Sequence, residues 1–345
     1  MYFMKILYPI FVSKFLSMSF RIVLSRFLVL FLLVSCAKNV EKKDYTLKGG
    51  VFGTTYKITY LEADKNYQKE IDSLFEVVNN SVSTYIPDSD ISRINRGEKN
   101  VKVDAIFKEV LEKSKIIYKQ TDGFFDPTVG NLVNVYGFGP EKELLDITEE
   151  VINEELKYVG LDKVSLKNQV IVKDDPKVYL DFNSIAKGFG IDVIARFLES
   201  KNIKNYMVEI GGEIRAEGVK KNGKPWLIQL VNPVDVNTGY KTINLSGKSM
   251  ATSGNYRKFK VTDDGKKYVH TINPKTGLAT ESNLLSASVI APLDCADVDA
   301  YATAFMAMGL EKTKAFLEDY KNIEVILLFS DKDGNLNEYS TNTHN

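Results

Sequence analysis

The apolar period changes part-way along this chain, and that change limits the folds open to it. In 67–82, Ile71, Leu74, Phe75 and Val78 recur at helical spacing. Phe107, Val110, Leu111, Ile117 and Tyr118 do the same over 105–120, where Asp122-Gly123 closes the run. Further helices are expected over 148–159, 184–198, 296–308 and 311–320. From 206 onward short β-type runs take over, at 206–210, 213–219, 226–231, 240–246, 256–261, 267–272 and 284–291. Asn222-Gly223 and Asp264-Gly265 mark hairpin turns among them, and Asp333-Gly334 marks a terminal hairpin. Strands are also expected at 51–61, 170–172 and 178–180, the last two joined through Asp174-Asp175-Pro176. Helices early and hairpin-linked strands later predict an α+β fold with a largely antiparallel sheet, not alternating βαβ units. No linker or repeat interrupts the stretch from Gly49 onward, so 49–345 is expected to fold as one unit.

Composition narrows what such a unit can do. The 345 residues carry 45 Lys+Arg and 45 Asp+Glu, so no whole-chain field exists to hold nucleic acid. Two Cys and two His rule out a disulfide framework and a structural zinc cluster. Chemistry must therefore come from carboxylates, hydroxyls, backbone groups and one histidine, His270, because His344 lies in the tail.

The charge is uneven at the N-terminus. Residues 1–35 carry Lys5, Lys14, Arg21 and Arg26 and no acidic residue, and an apolar run from Phe27 to Val34 follows. A basic region, a short apolar stretch and a small residue before a break make an export signal, and the run is short for a membrane span. Leu33-Val34-Ser35-Cys36 resembles a bacterial lipoprotein signal, in which the cysteine is lipidated and becomes the new N-terminus. Met18 begins a more typical signal and is a second candidate start. Residues 36–48 read as a lipidated tether. Cys295 is then the remaining thiol, expected to be buried and inert.

Two apparent motifs fail on chemistry. Gly218-Val-Lys-Lys-Asn-Gly223-Lys224 has P-loop spacing, but Pro225 stands where a magnesium-binding hydroxyl is required. Asp331-x-Asp333-x-Asn335 begins like a calcium loop, but Leu336 occupies the glycine position. Both are expected to be turns. The chain has no dinucleotide fingerprint and no hydrolase elbow.

Three segments are better candidates. Asp181-Phe-Asn-Ser184-Ile-Ala-Lys187-Gly188 opens the 184–198 helix, where free N–H groups and the Lys187 charge favour an anion. Asp181 is placed either to accept hydrogen bonds from a ligand or to cap that helix. Asp299 and Thr303 stand one turn apart on the 296–308 helix, so their oxygens share a face. That spacing suits two ligands of a hard cation, or an exposed Asp with a core-facing Thr. Asp297 is expected to cap the helix. His270 precedes a turn through Asn273-Pro274-Lys275-Thr276-Gly277 and is either structural or a base poised near neutral pH.

The order and wording of these blocks resemble the ApbE family, the FAD:protein FMN transferases. Val51-Phe52-Gly53-Thr54-Thr55-Tyr56, Ser81-Val-Ser83-Thr84-Tyr85 and Gly123-Phe124-Phe125-Asp126-Pro-Thr128 belong to the resemblance. So do Tyr136-Gly-Phe-Gly-Pro140, Glu209-Ile-Gly211-Gly212-Glu213 and Ala251-Thr252-Ser253-Gly254. The glycine-containing pairs at 211–212 and 253–254 read as turns or points of close approach. The resemblance runs from about Gly49 to the final hairpin and implies a single T-fold-like catalytic domain.

It implies transfer of FMN from the substrate FAD to a Thr or Ser hydroxyl of an acceptor protein, with Mg²⁺ as cofactor and AMP released. It implies FAD contacts at Phe52, where the family often has Met, and at Tyr85, Phe124, Phe125, Asp126, Asp181, Lys187 and Ile272. It implies magnesium at Ser184 (side chain or carbonyl), Asp299 and Thr303, and His270 as the base. The implied setting is a lipoprotein exported and anchored at Cys36, facing the periplasm. Acceptors would be flavin subunits such as membrane redox-pump components. A magnesium-dependent FAD pyrophosphatase and a non-catalytic flavin-binding lipoprotein are the alternatives.

Overall fold

In this computed structural model the described residues are 41–141, 147–255, 259–261, 267–279 and 282–341. The chain divides into two units after Lys42, and everything below concerns the unit Lys43–Asn345. Its strands are β1 (Lys43–Val51), β2 (Thr54–Ala63), β3 (Val164–Lys167), β4 (Val170–Lys173), β5 (Tyr206–Ile210), β6 (Glu213–Glu217) and β7 (Leu227–Val231). They continue with β8 (Gly239–Asn244), β9 (Lys248–Gly254), β10 (Phe259–Val261), β11 (Lys267–Val269), β12 (Leu284–Ala291), β13 (Glu324–Ser330) and β14 (Leu336–Ser340). The helices are α1 (Gln68–Val82), α2 (Asp90–Asn95), α3 (Ala105–Gln120), α4 (Gly130–Val135), α5 (Glu149–Leu156), α6 (Ala186–Ser200), α7 (Cys295–Met308) and α8 (Leu310–Asp319).

Eight strands form one antiparallel sheet in the order β1-β2-β5-β6-β9-β12-β13-β14. The fold is α+β. Helices α6 and α7 pack against each other, α6 on β5 and β6, and α7 on β9 and β12. Tyr60, Phe107, Phe182, Phe189, Tyr206 and Phe305 are fully buried among these layers. Each such ring removed from water contributes about 1.5–3 kcal/mol. The opposite face is covered by the β7–β8 hairpin over Ile214, Trp226, Leu230, Met250 and Ile326. No described helix is long and apolar enough to cross a membrane.

Several elements differ from the sequence expectation. The folded unit begins at Lys43 rather than Gly49, because 43–51 forms an edge strand whose outward residues are polar. The single strand expected over 51–61 is a hairpin, β1 turning into β2 through Phe52 and Gly53, which pair Val51 with Thr54. Both turn residues have positive φ (50° and 72°), the conformation a two-residue hairpin loop demands. The 178–180 segment forms only an isolated bridge at Tyr179. The Asn95 side chain occupies both the N–H and the carbonyl of Leu180, and Asp181 N–H donates to Pro127, so those groups need no sheet neighbour. Strand β4 pairs instead with β3. The Ser253-Gly254 pair, read as a turn or close approach, ends β9, a central strand between β6 and β12. Both false motifs are turns: Lys220 N–H bonds Lys224 O, and Asp331 Oδ1 accepts from the N–H groups of Asp333 and Asn335.

Candidate active site at the facing starts of two helices

Helix α6 starts without a side-chain cap of its own. The Gly188 N–H, which would otherwise close a turn on the Ser184 carbonyl, donates to Asp299 Oδ2 of α7 at 3.0 Å. An orphan helix-start donor is thus satisfied by a carboxylate from the neighbouring helix. The contact needs a glycine, since a Cβ at Gly188 would lie 2.3 Å from the Cys295 carbonyl oxygen.

Around this contact the charges converge. Lys187 Nζ lies 3.7 Å from Asp299 Oδ1 and 3.6 Å from Glu213 Oε1, with both carboxylates almost wholly buried. Burial disfavours the Lys187 ammonium, but Asp299 and Glu213 outweigh it and hold the group protonated. Burial is also the largest influence on Glu213, and with the Asp299 charge it pushes that carboxyl up to about 8 despite Lys187. The Asp299 carboxyl is raised by burial as well, and opposed by Lys187 and the Gly188 amide. Glu213 Oε2 is buried and meets no hydrogen-bond partner.

Thr303, one turn beyond Asp299, shares its hydroxyl with Ser253 Oγ of β9 at 3.3 Å. The Asp299 carboxylate and the Thr303 hydroxyl thus share one face of α7, and Asp299 reaches the start of α6, which Ser184 precedes by two residues. These are hard oxygen donors, and the set fits a small divalent cation better than a soft one. No group of three His, Cys, Asp or Glu side chains placed to hold a metal ion exists among the described residues. A cation here would depend on hydroxyl, carbonyl and water as well as on the carboxylate.

Several other expected residues lie on segments that lead into or touch α6. Asp181 is buried just before α6, where its carboxylate accepts from Asn183 N–H at 2.8 Å, and burial raises its pKa. It thus closes a local turn and does not cap α6. Asn183 reaches Thr84, beside Tyr85, which is 57% exposed and whose hydroxyl donates to the Phe138 carbonyl at 3.2 Å. An exposed aromatic face next to a buried anion-binding end is available to stack on a flat ligand. Phe52 holds a left-handed backbone, uncommon for an aromatic residue, and its ring fills the space where Gly190 of α6 lacks a Cβ. It also meets Phe75 edge-on, with centroids 5.6 Å apart. Strain held at such a position marks a place worth testing.

Three of the expected residues have side chains engaged within the protein itself. Phe125 is spent on the main core. Asp126 accepts from the Thr128 N–H and hydroxyl (2.8 and 2.6 Å), and burial pushes it up to about 6. Ile272 packs with Leu132, Tyr136 and Ile152. For Phe125 and Ile272, the backbone is what remains to face a ligand. Phe124 lies beneath the Lys312 ammonium, 4.6 Å from the ring centre.

His270 is half-buried just after β11, at the head of a loop closed by Asn273 N–H to Leu278 O and Gly277 N–H to Asn273 O. The Asn273 amide reaches the Ala307 carbonyl of α7 at 3.5 Å, tying the histidine loop to the helix that carries Asp299 and Thr303. Asp297 does not cap α7. It pairs with Lys113 at 2.9 Å. Cys295 is a buried free thiol, as expected, and burial raises its pKa. Cys36 lies outside the described residues.

Glu213 was not singled out from the sequence. Its signal was a carboxylate directly after Gly211-Gly212 at the start of β6, whose first two residues, Glu213 and Ile214, are both buried.

The chain is similar in sequence and fold to known proteins. The sequence model of the ApbE family matches residues 52–327. A Vibrio cholerae protein named FAD:protein FMN transferase is 38% identical over 323 residues, covering 91% of this chain and 95% of the relative. One of the same name from Haemophilus influenzae is also 38% identical, covering 88% and 90%. The crystal structure of the flavin transferase ApbE from Vibrio cholerae superposes with a TM-score of 0.78 at 36% identity, covering 87% of this chain and 97% of that one. The apo flavinyl transferase ApbE of Pseudomonas stutzeri gives 0.77 at 28% identity, covering 88% and 96%. With sequence and architecture both matched across the folded body, the chain belongs to the ApbE family.

Proposed function

We propose that this protein transfers FMN from FAD to a Thr or Ser hydroxyl of an acceptor protein and releases AMP. The observation that carries the reading is the buried Lys187–Asp299–Glu213 centre at the start of α6, with Thr303 one turn along, in a chain of this family. The acceptor oxygen attacks the FMN-side phosphorus, a new P–O bond forms, and the bond to AMP breaks. Asp299, the Thr303 hydroxyl and the Ser184 carbonyl would hold Mg²⁺. A bound Mg²⁺ supplies neutralisation of the charge on the diphosphate oxygens. Lys187, kept charged chiefly by Asp299, adds a point charge beside them. His270 accepts the proton of the attacking hydroxyl, and Asp181, Tyr85, Phe52 and the segment 124–126 orient the flavin nucleotide.

The test incubates the full chain with FAD, Mg²⁺ and a candidate flavin-subunit acceptor. In-gel flavin fluorescence and a mass increase equal to FMN are expected on the acceptor. Free FMN and AMP with no acceptor mass change would instead make it a pyrophosphatase. Lys187→Ala should weaken FAD by about tenfold or more while leaving riboflavin nearly unchanged, since one charge-assisted contact to phosphate contributes about 1.5–3 kcal/mol. Equal losses for both ligands, by fluorescence titration, would remove Lys187 from the phosphate site.

Export and anchoring through Cys36 belong to the same reading, with acceptors among membrane flavin subunits. They rest on the basic n-region, the short apolar run and the Ser35-Cys36 junction. Metabolic labelling with palmitate should mark the wild type and miss Cys36→Ser. Equal labelling would end the lipoprotein reading and leave the enzyme reading intact.

A further inference from the structure

Helices α6 and α7 cap each other. Asp299 of α7 takes the Gly188 N–H of α6, while Asp192 of α6 takes the first N–H groups of α7. Asp192 Oδ1 accepts from Cys295 N–H and Oδ2 from Ala296 N–H, each at 2.8 Å. In each helix the capping carboxylate stands four residues beyond the residue where the partner's carboxylate binds: Gly188 to Asp192, and Cys295 to Asp299. Asp294, the residue at the N-cap of α7, offers no side-chain cap, so Asp192 supplies what the helix lacks. Asp192 is fully buried, and Arg215 of β6 holds its Oδ1 at 2.8 Å while the same nitrogen reaches Asp294 at 2.8 Å. Strand β6 also carries Glu213. One seam therefore fixes the Ser184 end of α6 relative to Asp299.

We propose that Asp192 is a positioning residue for the oxygen-donor set, holding the start of α7 in the register that brings Asp299 and Thr303 to the Ser184 end of α6. The proposal rests on the metal reading of that set given above. Magnesium demands near-ideal octahedral geometry at short distances, so a small slip between the two helices removes a ligand. Residues that orient metal ligands are worth about 10–100-fold in metal affinity.

Asp192→Asn keeps one acceptor but turns an amide N–H₂ toward a backbone donor and loses its charge against Arg215. Mn²⁺ binding to the full chain, followed by electron paramagnetic resonance without FAD, should weaken by about 10–100-fold. The Mg²⁺ concentration for half-maximal FMN transfer should rise in parallel, with excess Mg²⁺ restoring the rate. Arg215→Lys, which keeps the charge but loses the planar fork, should shift both in the same direction by several-fold. Ile58→Val, in the core away from the seam, controls for lost stability. Unchanged Mn²⁺ affinity in a folded Asp192→Asn or Arg215→Lys, with only the melting temperature lowered, would overturn the proposal. Asp299→Ala separates this from the metal reading. If it too binds Mn²⁺ as the wild type does, the metal site itself is wrong. If it loses Mn²⁺ while the seam variants do not, only the positioning role fails.

Discussion

Asp299→Ala should abolish FMN transfer, lowering the rate by at least about 10²–10³-fold, the loss usual for one preorganised charge-stabilising group. Hydrolysis of FAD should fall with it, because both reactions need the same charge neutralised on the diphosphate. Asp299 is the single carboxylate in the proposed donor set, so no neighbouring oxygen replaces its formal charge. The substitution has a structural side as well. It leaves the buried Gly188 N–H without its acceptor, a cost of about 1–3 kcal/mol. Asp299→Asn keeps an acceptor for that amide and removes only the charge, so it isolates the chemical role. Transfer rates for the two variants across a Mg²⁺ titration check this. Full activity of either at low Mg²⁺ would leave the carboxylate as a helix cap and nothing more.

His270→Ala should slow transfer by about 10²–10⁴-fold, the span for a lost general base, while FAD affinity and the Mg²⁺ requirement stay near wild type. The reason lies in its placement. His270 heads a loop held by its own backbone bonds, on a different segment from Asp299 and Thr303, so truncating the imidazole removes no donor from that set. Single-turnover transfer with saturating FAD, beside FAD and Mn²⁺ titrations, separates the two effects. A wild-type transfer rate in His270→Ala would pass the proton to another group, with the substrate phosphate the first candidate. A lost FAD affinity would make the histidine a binding residue.

The two variants separate because His270 lies on the loop after β11 while Asp299 lies on α7, a relation visible only in part from the sequence. The four-residue spacing of Asp299 and Thr303 was legible because helical period alone places them on one face. The pairing of that face with the start of α6 was not, since it depends on Gly188 letting two backbones touch. Edge strand β1 was read as tether because its outward residues, Lys43, Lys48 and their neighbours, look like solvated chain. Strand β9 was not read as a strand because Ser249, Thr252, Ser253 and Gly254 carry little apolar pattern. Its burial comes from β6, β12 and α7 closing over it.

The sequence by itself determined the α+β class, the helical faces, the terminal hairpin at Asp333-Gly334 and the chemical kinds of group available, because these follow from local period, turn stereochemistry and composition. Asn222-Gly223 is a turn between strands that do not pair, and Asp264-Gly265 lies outside the described residues. The sequence also singled out Lys187 and Asp299, which the structure brings within ion-pair reach of each other. Tertiary structure alone decided that Glu213 joins Lys187 and Asp299, that Asp192 rather than Asp294 or Asp297 caps α7, and that Phe125 and Ile272 turn into the core. Each of these outcomes is set by which buried donor, charge or cavity lies opposite a side chain. Asp192 and Cys295, 103 positions apart in the chain, and Gly188 and Asp299, 111 apart, meet there, and a pattern read along one strand or one helix carries no term for that meeting.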